Sequence, residues 1–186
     1  MRIIGGSARG LKLADVGEGD ARAHLRPTTD RVRESVFNLL VNSLDLNLEG
    51  MRVLDLFAGT GALGLEALSR GAARVAFVDD GVAARALLRA NIEKMRAMGA
   101  TDVWRRDATR LGPNRGAGYD LIFLDPPYGQ GLGERALTSA LEGGWIAPGA
   151  VIVWEENAPI APPEGLERLD ARRYGDTTIT ILRHPI

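Results

Sequence analysis

Two stretches of the chain hold residues whose types and order can do chemistry. The first is "DLIFLDPPYG", Asp120 to Gly129, where an apolar run ends in an acid, two prolines and a tyrosine. Proline donates no backbone hydrogen bond and fixes φ, so the run stops there and the residues after it are held stiffly. Asp125 then offers a carboxylate, Pro126 a backbone carbonyl, Pro127 further stiffness and Tyr128 a flat aromatic face. Two acceptors beside a ring can hold an amino group by both of its N–H bonds while the ring stacks on the plane that carries it.

The second stretch, "VLDLFAGTGALG", sets Gly59, Gly61 and Gly64 in the GxGxxG spacing between an apolar run and a helical pattern. Such glycines let the backbone approach a nucleotide-like ligand, and an acid about 20 residues further on can take ribose hydroxyls. Asp79 stands at that distance, with Asp80 beside it. Asp55 precedes the glycines and Asp107 closes the third apolar run, so three carboxylates gather at the carboxyl ends of neighbouring strands. A pyrophosphate is repelled by that much negative charge, which disfavours NAD; S-adenosylmethionine (SAM) has no phosphate and carries a sulfonium and an ammonium. Asp55 suits its methionine end, Asp79 its ribose and Asp107 its adenine amino group.

The elements that must position these residues emerge from the alternation after Met51. Apolar runs at 51 to 57, 74 to 79, 102 to 107, 119 to 125 and 150 to 156 read as strands, separated by helical stretches at 62 to 70, 82 to 98 and 133 to 142. Gly71, Gly99 and Gly143 are placed to stop those helices. Strands alternating with helices imply an α/β fold with a mostly parallel sheet, and "LERLDARRYGDTTITILR" reads as an antiparallel C-terminal hairpin closing one edge. "PIAPPEG" is a surface connector.

A different module precedes the alternation. "RIIGGSARGLKL" can pair residues 2 to 4 with 11 to 13, "ADVGEGDARAH" reads as a linker, and Thr28, Thr29 or Asp30 can cap a helix after Pro27. On that helix Val32, Val36, Leu39 and Leu40 share one face, while Arg31, Ser35, Asn38 and Asn42 share the other. The expected division is residues 1 to 45, a hairpin, linker and helix, and residues 46 to 186, the domain that holds the glycine loop and the proline corner.

"VLDLFAGTGALGLEALSRGA" and "LDPPYG" resemble Rossmann-like class I SAM-dependent methyltransferases that modify amino nitrogens. "MRIIGGSARGLKL", "RPTTDRVRESVFNLL" and the tail "RRYGDTTITIL" extend the likeness over nearly the whole chain and make it similar to the RsmD family of bacterial 16S rRNA guanine-N2 methyltransferases. That resemblance implies a seven-stranded sheet and methyl transfer to a guanine N2 amine in the small ribosomal subunit or its rRNA. It assigns Asp55, Gly59, Gly61 and Asp79 to the SAM site, where Phe57, Ala58, Asp107 and Ala108 are further candidates, and Asp125, Pro126, Pro127 and Tyr128 to catalysis; with it Arg26, Thr28, Arg31 and Arg33 read as the RNA contact of residues 1 to 45, against the alternative of a solvated helix face with Arg33 paired to neighbouring acids. Where the family often has a second acid two positions after the ribose acid, this chain has Gly81. Methylation of a protein glutamine, or of adenine or cytosine in DNA, poses the same geometric problem and stands as the rival reading; an oxidoreductase does not explain the corner at 125 to 128.

Composition narrows the classes further. The 186 residues carry a net charge of -1, so nucleic-acid contact must come from a local patch, for which Arg2, Arg9 and Lys12 on the first hairpin are further candidates. There is no cysteine, which excludes disulfides and cysteine metal sites, and His24 and His184 show no ligand spacing, so no metal is expected. No run approaches the roughly 20 apolar residues of a membrane span. A cytoplasmic monomer without membrane association is the expectation.

Overall fold

A computed structural model of the chain describes residues 1–15 and 29–186. Seven strands form one sheet: β1 (Arg52–Leu56), β2 (Arg74–Val78), β3 (Thr101–Trp104), β4 (Tyr119–Leu124), β5 (Ile146–Glu156), β6 (Glu167–Tyr174) and β7 (Thr177–Arg183). Their order is β3-β2-β1-β4-β5-β7-β6, with β1 to β5 parallel and β7 antiparallel to both neighbours. The expected mostly parallel seven-stranded sheet with an antiparallel C-terminal hairpin is therefore present. Its turn is the two-residue Gly175-Asp176 link, with Gly175 at φ 60°.

Helix α1 (Asp30–Asn38) precedes the sheet, α2 (Ala62–Ser69) follows β1, α3 (Val82–Lys94) follows β2 and α4 (Leu132–Glu142) follows β4. Near-continuous apolar strands arise because both faces of the sheet are covered. On one face Val53, Phe77 and Phe123 pack against α2, α3 and the N-terminal Ile3, Leu13, Val36, Phe37 and Leu40. On the other, Leu54, Leu56, Ile122 and Leu124 pack against α4 and the buried Trp145 and Trp154. The N-terminal residues thus share the core of the sheet that follows them.

Several boundaries differ from those read along the chain. Helix α3 ends at Lys94, short of the expected 98, because Arg96 turns left-handed (φ 55°). Strand β5 begins at Ile146, and a register shift against β4 between Tyr119 and Leu121 absorbs the Pro148-Gly149 break. Helix α1 passes into a π-helical turn, Leu39–Ser43, closed by Leu44 N–H donating to Leu39 O. Thr29 is the N-cap: its Oγ1 accepts from Val32 N at 3.1 Å.

The β3-β2-β1-β4 order makes the β1/β4 boundary a topological switch point, where the loops leaving the carboxyl ends of two adjacent strands diverge and leave a crevice. Both chemistry-bearing stretches leave the sheet there.

Candidate active site

Leu56 pairs with Val78 on one side and with Leu124 on the other. One residue further along those three strands stand Phe57, Asp79 and Asp125, so register brings together groups that are 68 residues apart in the chain. Phe57 holds φ at 57°, a left-handed conformation costing about 1–3 kcal/mol for a residue with a side chain. That bend turns the chain sharply out of β1 while Ala58 N–H donates to Val78 O at 3.1 Å.

The glycines then act for different reasons. Gly61 is left-handed (φ 80°), and a Cβ there would stand 2.3 Å from Leu88 Cδ1. At Gly64 a Cβ would stand 2.5 Å from Phe77 Cε1, so its absence lets α2 lie close on the sheet. With glycine at the N-cap, α2 has no capping side chain of its own. Asp55 supplies the acceptor from below: its Oδ2 takes the Gly64 N–H at 3.0 Å.

The expected place of Asp55 is against the methionine end of a ligand, but only 1% of it is exposed, because it lies beneath the glycine loop. Burial pushes its pKa from 3.8 up to about 8; the Gly64 hydrogen bond opposes the rise and the Asp79 charge adds to it. Asp79 is half-buried, and its two oxygens accept from Gly59 N (2.9 Å) and Gly81 N (2.8 Å), so it ties the glycine loop to the start of α3. Burial raises its pKa too, against those two hydrogen bonds. Each oxygen keeps a second lone pair for a ligand hydroxyl. The adjacent Asp80 is exposed.

Asp107 does not end a strand: β3 stops at Trp104, and Asp107 lies exposed three residues on. Its Oδ1 accepts from Thr109 N (2.9 Å) and Thr109 Oγ1 (2.7 Å), which hold its pKa below the ordinary value. Ala108 packs its methyl into the core, leaving its backbone as its polar surface.

The proline corner is braced from strands that lie far from it along the chain. Asp125 and Tyr128 are half-buried and Pro126 is buried. The Tyr128 hydroxyl donates to Glu155 Oε1 (3.4 Å) and lies 3.2 Å from Thr177 Oγ1, so β5 and β7 pin the tip of the ring. Gly129 N donates to Glu156 Oε1 at 3.3 Å, fixing the far end of the corner. Both glutamates are buried. The one cue along the chain is that two acids end an apolar run in "WEE".

The arginines expected on RNA separate. Arg31 is exposed, whereas Arg33 is 0% exposed, because i, i+2 spacing on a helix sends two side chains in different directions. Arg33 Nε donates to the equally buried Glu66 Oε1 (3.2 Å), and its Nη2 donates to Asp30 Oδ1 (2.9 Å) and to Arg2 O. A buried ion pair, not a phosphate contact, is its place. Arg26 and Thr28 lie outside the described residues.

Glu66 carries no mark along the chain that singles it out. It also accepts from Ile4 N (2.9 Å), Gly5 N (3.0 Å) and Arg70 Nε (2.9 Å), clamping hairpin and α1 onto α2. The hairpin forms as expected around the Arg2↔Lys12 bridge, but its turn sits at the far end of α2, where Ser7 N donates to Ser69 O and Ala8 N to Ser69 Oγ. Arg9 is thus carried away from the glycine loop. Nearer that loop, the buried Asn91 joins α3 to Ala14, whose N–H and carbonyl it bonds, and to Thr60 O.

Among the described residues no helix is long and apolar enough to cross a membrane, and no group of three His, Asp or Glu is placed to hold a metal.

Comparison with known proteins agrees with this geometry. A family model described as Conserved hypothetical protein 95 matches residues 1–183. The candidate rRNA methyltransferase YlbH of Bacillus subtilis is 37% identical over 189 aligned positions, covering 98% of both chains. Ribosomal RNA small subunit methyltransferase D of Escherichia coli K12 is 39% identical over 155 residues, 83% of this chain and 74% of that protein. Among solved structures, the candidate methyltransferase yhhF of Escherichia coli superposes with a TM-score of 0.83 at 34% identity, covering 100% of this chain and 98% of that one.

Proposed function

The chain belongs to the RsmD family of small-subunit ribosomal RNA methyltransferases, and on that premise we propose that it transfers a methyl group from SAM to the exocyclic N2 amine of a guanine in 16S rRNA. The observation that carries this reading is the register: the glycine loop, Asp79 and the Asp125 corner leave β1, β2 and β4 one residue beyond the same row of the sheet.

Charge and shape support SAM as the donor. Asp55 is a buried carboxylate with one hydrogen bond and a second carboxylate nearby, an arrangement that a cation relieves and a diphosphate worsens. When bound, the cofactor supplies a methyl group on a positively charged sulfur. Asp79 takes the ribose hydroxyls, Asp107 and the Ala108 backbone the adenine, and the Phe57–Gly61 loop lies along the remainder. Asp55, which burial keeps protonated to about pH 8, acts from beneath that loop as it ionises against the bound cation.

On the acceptor side the problem is a nitrogen lone pair delocalised into the guanine ring. Asp125 accepts one N–H and the Pro126 carbonyl the other, which turns the lone pair out of conjugation and offsets the positive charge that develops on nitrogen. Tyr128, held at its tip by Glu155 and Thr177, stacks on the base. The proton released afterwards leaves to Asp125 or to water.

The test supplies methyl-labelled SAM with unmodified small-subunit particles and maps the label after nuclease digestion. N2-methylguanosine in 16S rRNA is the expected product. Label on a protein glutamine or in DNA would transfer the reading to the rival substrates, and no label on any of them would end it.

A further inference from the structure

Acids and arginines share the rim around the corner: Asp79, Asp80 and Asp125 stand just beyond the strand ends, with Arg85 beside Asp79, and Asp107 lies three residues past β3 with Arg110 and Arg135 near it. The corner itself can hold only the target base, so a second surface beyond it helps to hold the rest of the substrate strand. Arg33 is buried, and the turn that carries Arg9 sits at the far end of α2, so two of the expected cations do not provide it.

A groove of about 290 Å³ opens between α1 with its π-helical turn and the edge strand β6. Ser35, Asn38, Asn42 and Ser43 line one wall, Arg172 and Tyr174 the other. The first wall continues the polar face that the helical spacing sets opposite Val32, Val36 and Leu40. Arg172 and Tyr174 pair with Ile179 and Thr177, and two-residue spacing on β6 sends both side chains to the face of the sheet that α1 covers. We propose that this groove binds single-stranded RNA next to the target guanine.

Three observations select that occupant. The lining combines amide groups that can both donate and accept, hydroxyls, a half-buried aromatic ring and a guanidinium, the set that reads unstacked bases by their edges and faces. Asn38 and Asn42 are exposed, and among the described residues their side chains make no hydrogen bond, so they are not engaged in holding the fold. Arg172 is half exposed; it pairs with Asp170 at 3.2 Å and keeps further donors. The groove is also joined to the catalytic corner: Tyr174 stands opposite Thr177, and Thr177 Oγ1 is 3.2 Å from the Tyr128 hydroxyl. A strand leaving Tyr128 along this side meets Tyr174 first and the asparagines next. The π-helical turn that presents Asn42 and Ser43 is of the kind often found at functional sites.

This inference rests on the RNA-methylation reading, and its test separates the two. Asn38→Asp/Asn42→Asp places two negative charges in the groove at exposed helix positions, and Arg172→Gln removes its cation. Methylation of unmodified small-subunit particles is measured at saturating SAM, with SAM affinity and melting temperature measured on each variant. The expected result is a rise of roughly tenfold or more in KM for the particle, with kcat, SAM affinity and melting temperature near wild type. Ultraviolet crosslinking of the wild-type complex is expected to leave a nucleotide adduct on Tyr174. Unchanged KM in both variants, with the wild type active, overturns the groove and leaves the methyltransferase. Crosslinks from the groove to a ribosomal protein instead of RNA overturn it in favour of a protein partner. A wild-type protein that methylates no rRNA ends both readings.

Discussion

Asp55 and Glu66 are both buried carboxylates, one under the N-terminus of α2 and one in its middle, and the molecule treats them in opposite ways. Glu66 receives Arg33, Arg70 and the backbone N–H groups of Ile4 and Gly5. Asp55 receives the Gly64 N–H and feels the charge of Asp79. A buried charge met by opposite charge and several donors joins elements together; one left short of compensation has a raised pKa and waits for a cation. On this chain the first builds the N-terminal clamp and the second the floor of the proposed cofactor site.

The largest effect that could break this contrast is at the clamp. Glu66→Ala strands the buried Arg33 with a single, partly exposed carboxylate partner, and removing one member of a buried pair costs about 3–5 kcal/mol. A fall in melting temperature of roughly 10 °C is expected. The double variant Glu66→Leu/Arg33→Met should recover most of it, since an apolar pair avoids the desolvation cost. A Glu66→Ala protein that melts like the wild type would show that the clamp carries no energy.

At the site the loss should fall on turnover instead. Asp125→Ala is expected to lower kcat by about 100- to 1000-fold while SAM affinity, read by calorimetry, stays within about twofold. Loss of SAM binding to the same degree would move Asp125 from the acceptor side to the cofactor side.

Asp55→Asn sharpens the comparison through pH. In the wild type the unfolded chain sheds this proton near pH 3.8, while the folded chain keeps it to about pH 8, so Asp55 favours the fold most below pH 4, and that contribution is lost as pH rises to about 8. The asparagine has no proton to lose and can still accept from Gly64 N, so at pH 8 the variant should melt a few degrees above the wild type, with the gap closing by pH 4. SAM, as a cation, should bind the wild type more tightly as Asp55 ionises toward pH 8.5, a trend absent in the variant.

The smallest expected change is Thr29→Ala, which removes the cap from the helix that carries Arg33 and should cost about 1 kcal/mol in thermal or urea denaturation, with no effect on SAM affinity.

The parts of the candidate site that can be read along the chain are those whose chemistry is local. The glycine loop and the Asp125 corner each occupy a few consecutive residues, and proline and glycine act through φ, which depends little on distant contacts. The parallel sheet and the C-terminal hairpin were legible from alternation and from the Gly-Asp turn. The residues that escaped notice act across long separations: Glu66 reaches back to Arg33 and Ile4, Glu155 and Thr177 hold Tyr128, and Asn91 reaches Ala14 and Thr60. Arg33 follows the alternative to RNA contact and pairs with acids: Asp30 is its near neighbour in sequence, but Glu66, brought from another helix, carries no mark that the pair is buried.

The amino-acid order by itself determined where strands stop, where the backbone must bend and which side chains can accept an amine or a hydroxyl, because those properties belong to single residues and short spacings. Whether a given charge is buried or exposed, matched or unmatched, was decided only when the chain packed. Burial and partnership are set by neighbours brought from elsewhere in the sequence, and the cost of a charge depends on them more than on the residue that bears it.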